Sequence, residues 1–365
     1  MRAKILLLYL NVMCCFMMVG CWDANEVKGY SLVSLLGIDR VDEKIRLFLE
    51  VNSSSNSSSN TQSSTGEPSE ILVSEGKNFT EARNSYLRRA EKGIFLGAMR
   101  AIVISDHFSK GGLSEYFNRI RGIKEYPKSI LLFTTNTELD KLLDPTQSNG
   151  TKIGQNVEHL NNALVKKKML NDSILTNVME NALVKHTGYL LNNIDKVNDR
   201  IEINGYSVFK DNKKVGFISE SKMKGANYFI LKKPANEYNL GFKDESLEIY
   251  TKVKNKKITS YYNGQTINFK IRIVLHCDVN YESVSKELNN EDRKEMENEI
   301  SKVIKQEIVE TIKTSQEKYE CDYLQLYKVF RAKYNSEFKN MNWDKKYKQA
   351  KFNVDVKVKL SQQTF

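Results

Sequence analysis

Residues 30–38 read Tyr30-Ser-Leu-Val-Ser-Leu-Leu-Gly-Ile38, and the fold that we predict is built around this stretch. Apolar residues occupy both alternating sets of positions, which is typical of a strand buried on both faces at the centre of a sheet. After a turn at Asp42-Glu43, residues 44–51 alternate between apolar and polar side chains, which predicts a half-buried antiparallel partner. Its buried face would carry Ile45, Leu47, Leu49 and Val51, and its polar face Arg46 and Glu50.

Strand and helix patterns alternate along the rest of the first half. Asn78-Phe-Thr-Glu81 has the spacing of a capping box, with Asn78 as the N-cap of a helix. Residues 100–105 and 130–134 are apolar runs that predict buried strands, and residues 154–190 have a mostly helical pattern. We therefore expect a sheet covered by helices. The helix between the two apolar runs would bury Leu113, Tyr116, Phe117 and Ile120, which recur at helical spacing.

The second half contains a hairpin and a unit with a long helix. Residues 201–218 alternate on both sides of Asp211-Asn212, which predicts a β-hairpin. Further strands are predicted at 246–254, at 257–262 and, after a turn at Asn263-Gly264, at 267–279. A long helix should begin near Asn290, and the alternation of residues 352–360 predicts a final strand. The apolar stripe of the helix would comprise Met296, Ile300, Val303, Ile304, Ile308 and Ile312.

These patterns predict an α+β fold with three mixed α/β domains, in which largely antiparallel sheets are packed by helices. The N-terminal domain would span residues 21–195 and include a flexible loop rich in Ser and Asn at 52–69. A middle hairpin domain would span 196–240, and a C-terminal domain with the long helix would span 241–365. A cleaved lipoprotein signal peptide, residues 1–20, would precede them.

The N-terminus has the features of a secretory signal. Arg2 and Lys4 precede an apolar run from Ile5 to Val19, which would be ~22 Å long as a helix and therefore short of the ~30 Å hydrocarbon core of a bilayer. The run ends in Met18-Val19-Gly20-Cys21, which looks like a bacterial lipobox. We therefore predict that Cys21 is lipidated; the alternative is a thiol that happens to follow a cleaved signal.

Lipidation of Cys21 would anchor the chain. A single acyl chain binds a membrane only marginally, whereas two bind it stably, and a diacylglyceryl thioether places two chains on one sulfur. The remainder would be a water-soluble body held at the outer face of the cytoplasmic membrane. We expect no cofactor other than this covalent diacylglycerol or acyl lipid.

Charge and cysteine content narrow the class of protein. Loss of residues 1–20 removes Arg2 and Lys4, so the formal net charge falls from +11 to +9. The densest basic patch, Lys252–Lys257, is interpreted as a solvated hairpin tip, or alternatively as a contact with anionic lipid headgroups. No nucleic-acid-binding motif accompanies it. Cys277 and Cys321 remain in the mature chain, and we expect both to be buried thiols without a bridge.

Catalytic motifs are missing from the sequence. It contains no Gly-x-Ser-x-Gly, phosphate-binding Gly loop, His-Glu-x-x-His or Cys-x-x-Cys. His276 and Asp278 would share one face of a strand, but spacing suggests no third ligand, so a hydrogen-bonded histidine is the preferred interpretation over a metal site. We therefore predict a protein that is not an enzyme.

Five segments together resemble the Ger(x)C spore germination lipoproteins. The first is Gly20-Cys21-Trp22-Asp23-x-x-Glu26, followed by Gly37-Ile-Asp39. The others are Phe79-Thr-Glu-Ala-Arg-Asn with Arg100–Ser105, Gly205-Tyr-Ser-Val-Phe-Lys210 with Lys214-Val-Gly-Phe217, and Tyr327–Tyr334 followed by Trp343 and the final strand. Their order and spacing match the family over nearly the whole mature length.

The resemblance implies a role in spore germination. It implies a three-domain, non-catalytic C subunit of a nutrient germinant receptor, anchored to the outer surface of the spore inner membrane. Its partners would be a polytopic A subunit and a transporter-like B subunit, and the complex would sense small germinants such as amino acids. The alternative function is a solute-binding lipoprotein of a transporter, although such proteins usually have two doubly wound lobes and a hinge.

Overall fold

The protein is described by a computed structural model that covers residues 29–52, 69–123, 126–127, 129–144, 152–242, 245–279 and 289–361. The described residues form two β-sheets with helices packed on them, which confirms the α+β class. The predicted loop at 52–69 lies almost entirely outside the described residues.

Among the described residues, the larger sheet has nine strands, which lie between Tyr30 and Ser219. Its order is β3-β2-β1-β5-β6-β7-β8-β9, with β4 paired to the start of β1. The strands are β1 (Tyr30–Val41), β2 (Lys44–Asn52), β3 (Ser69–Gly76), β4 (Gly93–Phe95), β5 (Ala101–Ile104), β6 (Leu131–Thr134), β7 (Gly188–Val197), β8 (Arg200–Lys210) and β9 (Lys213–Ser219).

The predicted central strand is β1, and its position is confirmed. It pairs antiparallel with β2 and parallel with β5, and its side chains contribute to the cores on both faces of the sheet. One face is covered by α1 (Phe79–Leu87), α2 (Asp106–Gly111), α3 (Ser114–Arg121) and α6 (Leu175–Ala182). The other face is covered by α4 (Leu139–Leu142), α5 (Ile153–Lys166) and α7 (Glu220–Ile230).

Two local predictions for this sheet differ from the structure. Strand β2 is buried on both faces, because Phe48 and Glu50 on the supposed polar side are 1% and 0% exposed. The helical pattern of 154–190 ends early, since β7 begins at Gly188. In the first case α5, which is distant in sequence, covers the second face of β2 at Glu50. In the second case residues 188–197 pair with β8 and form a strand.

The predicted hairpin of residues 201–218 is confirmed as β8 and β9. Asp211 and Asn212 have φ of 48° and 63°, so both central turn residues are left-handed, as in the two-residue turns that suit the twist of paired strands. The segment predicted as a middle domain contributes β8 and β9 to the larger sheet and β10 to the smaller one. Strand partners of this kind depend on contacts far apart in the chain.

The smaller sheet has the order β10-β11-β12-β13, in which β12 and β13 are parallel and the other pairs antiparallel. Its strands are β10 (Ala235–Phe242), β11 (Glu245–Tyr262), β12 (Ile267–Val279) and β13 (Lys351–Leu360). The helices of this unit are α8 (Asn290–Lys313), α9 (Leu326–Lys333), α10 (Asn335–Lys339) and α11 (Trp343–Lys348). The long helix and the final strand are therefore confirmed, although Val303 is 39% exposed and is not part of the buried stripe.

The two strands predicted at 246–254 and 257–262 are one strand, β11, with a bulge between Val253 and Asn255. The bulge places one extra residue on β11 and reverses which side chains point to each face. Lys256 consequently points inward, where its Nζ donates to the carbonyl oxygens of Tyr228 (3.0 Å) and Phe229 (3.2 Å) at the end of α7. The patch Lys252–Lys257 is thus not a hairpin tip.

Helices α7 and α8 join the two sheets. A Cβ on Gly225 would lie 2.0 Å from Oγ1 of Thr311, so only glycine allows this close approach of the two helices. The Tyr319 hydroxyl also donates to the Phe217 carbonyl at 2.8 Å, which connects the end of the long helix to β9. One apolar core therefore continues from the inner face of the larger sheet into the smaller unit.

Candidate functional site

The site residues predicted from the sequence are Cys21 and the lipobox residues Met18, Val19 and Gly20. All four lie outside the described residues, so lipidation remains a prediction. Within the described ranges, no helix has both the length and the apolar character needed to cross a membrane.

An apolar cavity of about 540 Å³ lies between the larger sheet and helices α1 and α3. Its walls include Leu36, Leu47 and Leu49 on the sheet and Phe79 on α1. This volume is within the ~300–1,000 Å³ range of small-molecule sites. Further lining residues are Ser74, Arg83, Tyr86, Ile94, Leu96, Tyr116, Arg119, Gly122, Ile123 and Tyr126.

The polar side chains that line this cavity are two arginines, one serine and three tyrosines. Arg83 is exposed, and the guanidinium of Arg119 lies 5.6 Å from the ring centroid of Phe79. The hydroxyl of Ser74 is buried and has no hydrogen-bond partner among the described residues. The described lining contains no carboxylate.

A second cleft, of about 680 Å³, lies between α7 and α8. Its Glu307 accepts from the Tyr238 hydroxyl at 2.6 Å, and that hydroxyl lies 3.0 Å from the hydroxyl of Tyr228. Burial raises the pKa of Glu307. Lys224 hydrogen-bonds the Glu237 carbonyl and lies 4.7 Å from the Tyr238 ring centroid. The main charged groups of this cleft are therefore already paired within the protein.

A polar network lies where the parallel strands β6 and β7 end, which is where ligands often bind in open α/β sheets. Asp195 accepts from the backbone N–H of Asn136 (2.8 Å) and Thr137 (2.9 Å) and from the Asn204 amide (2.7 Å). Burial acts to raise the pKa of Asp195, but these hydrogen bonds outweigh it and lower the pKa. Lys214, nearby, donates to Asp106 at 2.7 Å. The network is satisfied internally and holds the loops together.

Asp322 is a second buried carboxyl, in the smaller unit. It accepts from the backbone N–H of Leu326 (3.0 Å) and Tyr327 (2.7 Å) and from Nε1 of Trp343 (3.0 Å). Burial raises its pKa to about 6, although these hydrogen bonds oppose the shift. The side chain fixes the start of α9 against α11, a positioning role that the sequence did not indicate.

The cysteines and histidines do not form a reactive centre in the described part of the chain. Cys277 and Cys321 are buried free thiols, and burial raises the pKa of each to about 12, which suppresses the reactive thiolate. His276 and Asp278 do share one face of β12. The described residues contain no group of three metal-ligating side chains, and Nε2 of His276 has no hydrogen-bond partner among them.

Two family models match the chain. The model described as "Spore germination protein N-terminal domain" matches residues 23–194. The model described as "Spore germination B3/ GerAC like, C-terminal" matches residues 204–364. Together they cover both sheets and the helices packed on them.

Two individual spore germination proteins are also similar in sequence to this chain. The chain is 22% identical to spore germination protein A3 of Bacillus subtilis (strain 168) over 217 residues, which are 58% of this chain and 56% of that protein. It is 27% identical to spore germination protein KC of the same organism over 114 residues, 30% of this chain and 28% of that protein. The chain thus spans about half, or less, of the length of these curated relatives.

A solved structure, the crystal structure of the GerBC protein, has a similar fold. The TM-score is 0.55 at 13% sequence identity, and the likeness covers 90% of this chain and 97% of that one. The two family models, the curated relatives and this fold all indicate one assignment. The chain belongs to the Ger(x)C family of spore germination proteins.

Proposed function

We propose that this protein is the lipid-anchored, non-catalytic C subunit of a spore germinant receptor and is needed for nutrient-triggered germination. It would lie on the outer face of the spore inner membrane with an A and a B membrane subunit. The observation that carries the proposal is the pair of spore-germination family matches over residues 23–194 and 204–364, directly behind the Met18–Cys21 lipobox.

The short distance between the anchor and the sheet supports this arrangement. Tyr30, the first residue of β1, is about nine residues from Cys21, and a fully extended chain spans ~3.3–3.6 Å per residue. The body would then lie within about 30 Å of the bilayer surface. That distance is short enough for direct contact with membrane subunits and with lipid headgroups.

A non-catalytic role agrees with the chemistry of the described residues. The buried carboxylates of Asp195 and Asp322 accept hydrogen bonds that fix loops and helix starts, and the two thiols are buried. The subunit would therefore act by binding and positioning its partners.

Substitution of Cys21 tests the anchor. We expect Cys21→Ala to leave a folded protein that is lost from the membrane fraction of spores when the membranes are washed at high salt, which screens attraction between surface charges, and to slow germination with nutrients. Cys15→Ala, six residues upstream within the apolar run, is the matched control and should change neither property. Membrane association after the high-salt wash that is the same in Cys21→Ala and in the control would refute the anchor.

A pull-down from detergent-solubilised dormant spores tests the partners. With the mature chain as bait, two polytopic membrane proteins should be recovered. The alternative, a solute-binding lipoprotein, usually has two doubly wound lobes, whereas this chain has one nine-stranded mixed sheet joined to a smaller sheet. Saturable binding of an amino acid in a calorimetric titration, without recovery of membrane partners, would favour that alternative.

A further inference from the structure

The smaller sheet is covered on one face only by the described helices. Inward-pointing residues of β12, such as Ile271 and Ile273, are buried in a core with the apolar stripe of α8 and with Phe330 of α9. The residues between them, such as Lys270 and Arg272, point the other way and are exposed. We call this second side, formed by β11, β12 and β13, the outer face.

Strand pairing aligns basic residues across the outer face. Lys252 is opposite His276, which is opposite Lys359; Lys257 is opposite Arg272. The bulge in β11 preserves this alignment, because it returns Lys257 to the outer side after Lys256 has turned inward. All eight basic side chains of this face are exposed: Lys252, Lys254, Lys257, Lys270, Arg272, Lys351, Lys357 and Lys359.

The carboxylates of this face are concentrated at one end. Glu237, Glu248 and Asp278 surround Tyr250, where β10, β11 and β12 meet. Away from that end, the outward-facing positions of β11, β12 and β13 that the structure describes carry one carboxylate, that of Asp355. The remaining area is therefore strongly basic, and it is this area that we consider as an interaction surface.

Close spacing makes the positive charges reinforce one another. Alternate residues of a strand are about 6.6 Å apart and neighbouring strands about 4.8 Å apart. Both distances are below the Debye length of ~8 Å at physiological ionic strength, so salt screens the repulsion between these charges only in part. Lys252 has an anionic partner in Asp278, at 3.7 Å, but keeping the other seven exposed cations on one surface costs electrostatic repulsion, which an anionic partner would relieve.

An exposed aromatic residue adjoins the basic area. Tyr261, opposite Asn268 near the end of β11, is 60% exposed. Tyrosine is enriched at membrane–water interfaces, where its ring contacts the acyl boundary and its hydroxyl remains hydrated. A broad sheet face with clustered lysines and one projecting tyrosine matches a wide anionic surface better than a groove that would follow a nucleic-acid strand.

We propose that the outer face of the smaller sheet binds the surface of an anionic phospholipid membrane. The lysines and Arg272 attract the phosphate headgroups, and Tyr261 inserts at the interface. This contact goes beyond the proposed lipid anchor and is independent of it. In the anchored protein the two contacts would act together and orient the body, with α8 directed away from the bilayer.

The test measures binding to vesicles without the anchor. The mature chain, residues 21–365, with Cys21→Ala in every arm is sedimented with vesicles of phosphatidylglycerol and phosphatidylcholine, or of phosphatidylcholine alone. We expect binding to the anionic vesicles that weakens at high salt, because surface charge attraction is screened. Lys270→Gln, Arg272→Gln, Lys357→Gln and Lys359→Gln combined should weaken it by at least about tenfold, since each cation near a membrane contributes up to about fivefold.

The matched control removes the same charge from the opposite side of the unit. Lys294, Lys302, Lys305 and Lys313 are exposed on α8, and their combined replacement by Gln lowers the net charge equally. We expect this control to change binding by less than threefold. Equal weakening in both variants, no preference for anionic vesicles, or tighter binding to duplex DNA than to these vesicles would overturn the proposal. Circular dichroism of both variants verifies that they are folded.

Fluorescence provides a second measurement that does not depend on charge. Tyr261→Trp should show a blue-shifted emission when anionic vesicles are added, because its ring enters a less polar environment. Val303→Trp, on the exposed side of α8, should show no shift. An equal shift at both positions, or a shift at Val303→Trp alone, would overturn the proposed orientation.

Discussion

Glu50 offers the sharpest test of how the larger sheet is held to its helices. Its side chain is fully buried and receives three hydrogen bonds: from the backbone N–H of Ile153 at 2.5 Å, from that of Gly154 at 2.9 Å and from the Ser34 hydroxyl at 2.5 Å. The first two donors belong to the first turn of α5, where backbone N–H groups have no partner within the helix. The carboxylate therefore caps α5 from the middle of the sheet.

The substitution Glu50→Gln keeps the shape of the side chain but replaces one acceptor oxygen by a donor. If the remaining oxygen takes the position that binds Gly154 and Ser34, the new NH₂ group faces the N–H of Ile153. One charge-assisted hydrogen bond is lost, worth ~1.5–3 kcal/mol, and the favourable charge at the helix N-terminus, worth ~0.3–1 kcal/mol, disappears. Relief of burying a charge offsets part of this, so we expect a loss of about 2–3 kcal/mol in the free energy of unfolding.

Urea unfolding at pH 7, followed by circular dichroism of the Cys21→Ala chain, measures this difference. The control is Glu75→Gln on the neighbouring strand, because Glu75 is exposed and its ion pair with Arg46, at 3.2 Å, should contribute at most about 1 kcal/mol. Hydrogen exchange at Ile153 and Gly154 should also accelerate in Glu50→Gln. If Glu50→Gln costs no more than Glu75→Gln, the capping argument is wrong.

Three further predictions concern the smaller unit and its junction. Folding raises the pKa of Asp322 from 3.8 to about 6, so the wild type should lose roughly 2–3 kcal/mol of stability as pH rises from about 4 through 6. Asp322→Asn should not show this loss. If stability, measured by urea titration, changes equally with pH in both proteins, the prediction is contradicted. Lys256→Met should lower stability by ~1–3 kcal/mol, since the carbonyls at the end of α7 lose their donor, and an unchanged urea midpoint would exclude that role. Gly225→Val should destabilise the junction by ~1–3 kcal/mol through the contact with Thr311, whereas Gly241→Val, which has open space around its Cβ, should not; equal thermal shifts would refute the close-approach argument.

Local pattern determined much of this protein. The doubly apolar run 30–38 predicted the central strand, Asp211-Asn212 predicted the hairpin turn, and the spacing from Met296 to Ile312 predicted the long helix. Each of these signals depends on side-chain period or on a backbone conformation that neighbouring residues specify, so it is readable without knowledge of the partner element. The family resemblance also lay in short motifs, and the family models confirmed it.

Tertiary structure decided which polar residues became buried and which faces remained open. Glu50 has the alternation of a solvent-facing residue, and only the approach of α5 makes it an internal cap. Lys256 lies within a basic run, and only the bulge in β11 turns it inward while its neighbours form the outer face. Alternation specifies that two faces differ, but it does not specify what covers each face, because that depends on elements many residues away. The organisation of the outer face therefore followed from strand pairing, whereas the basic character of its residues was already present in the sequence.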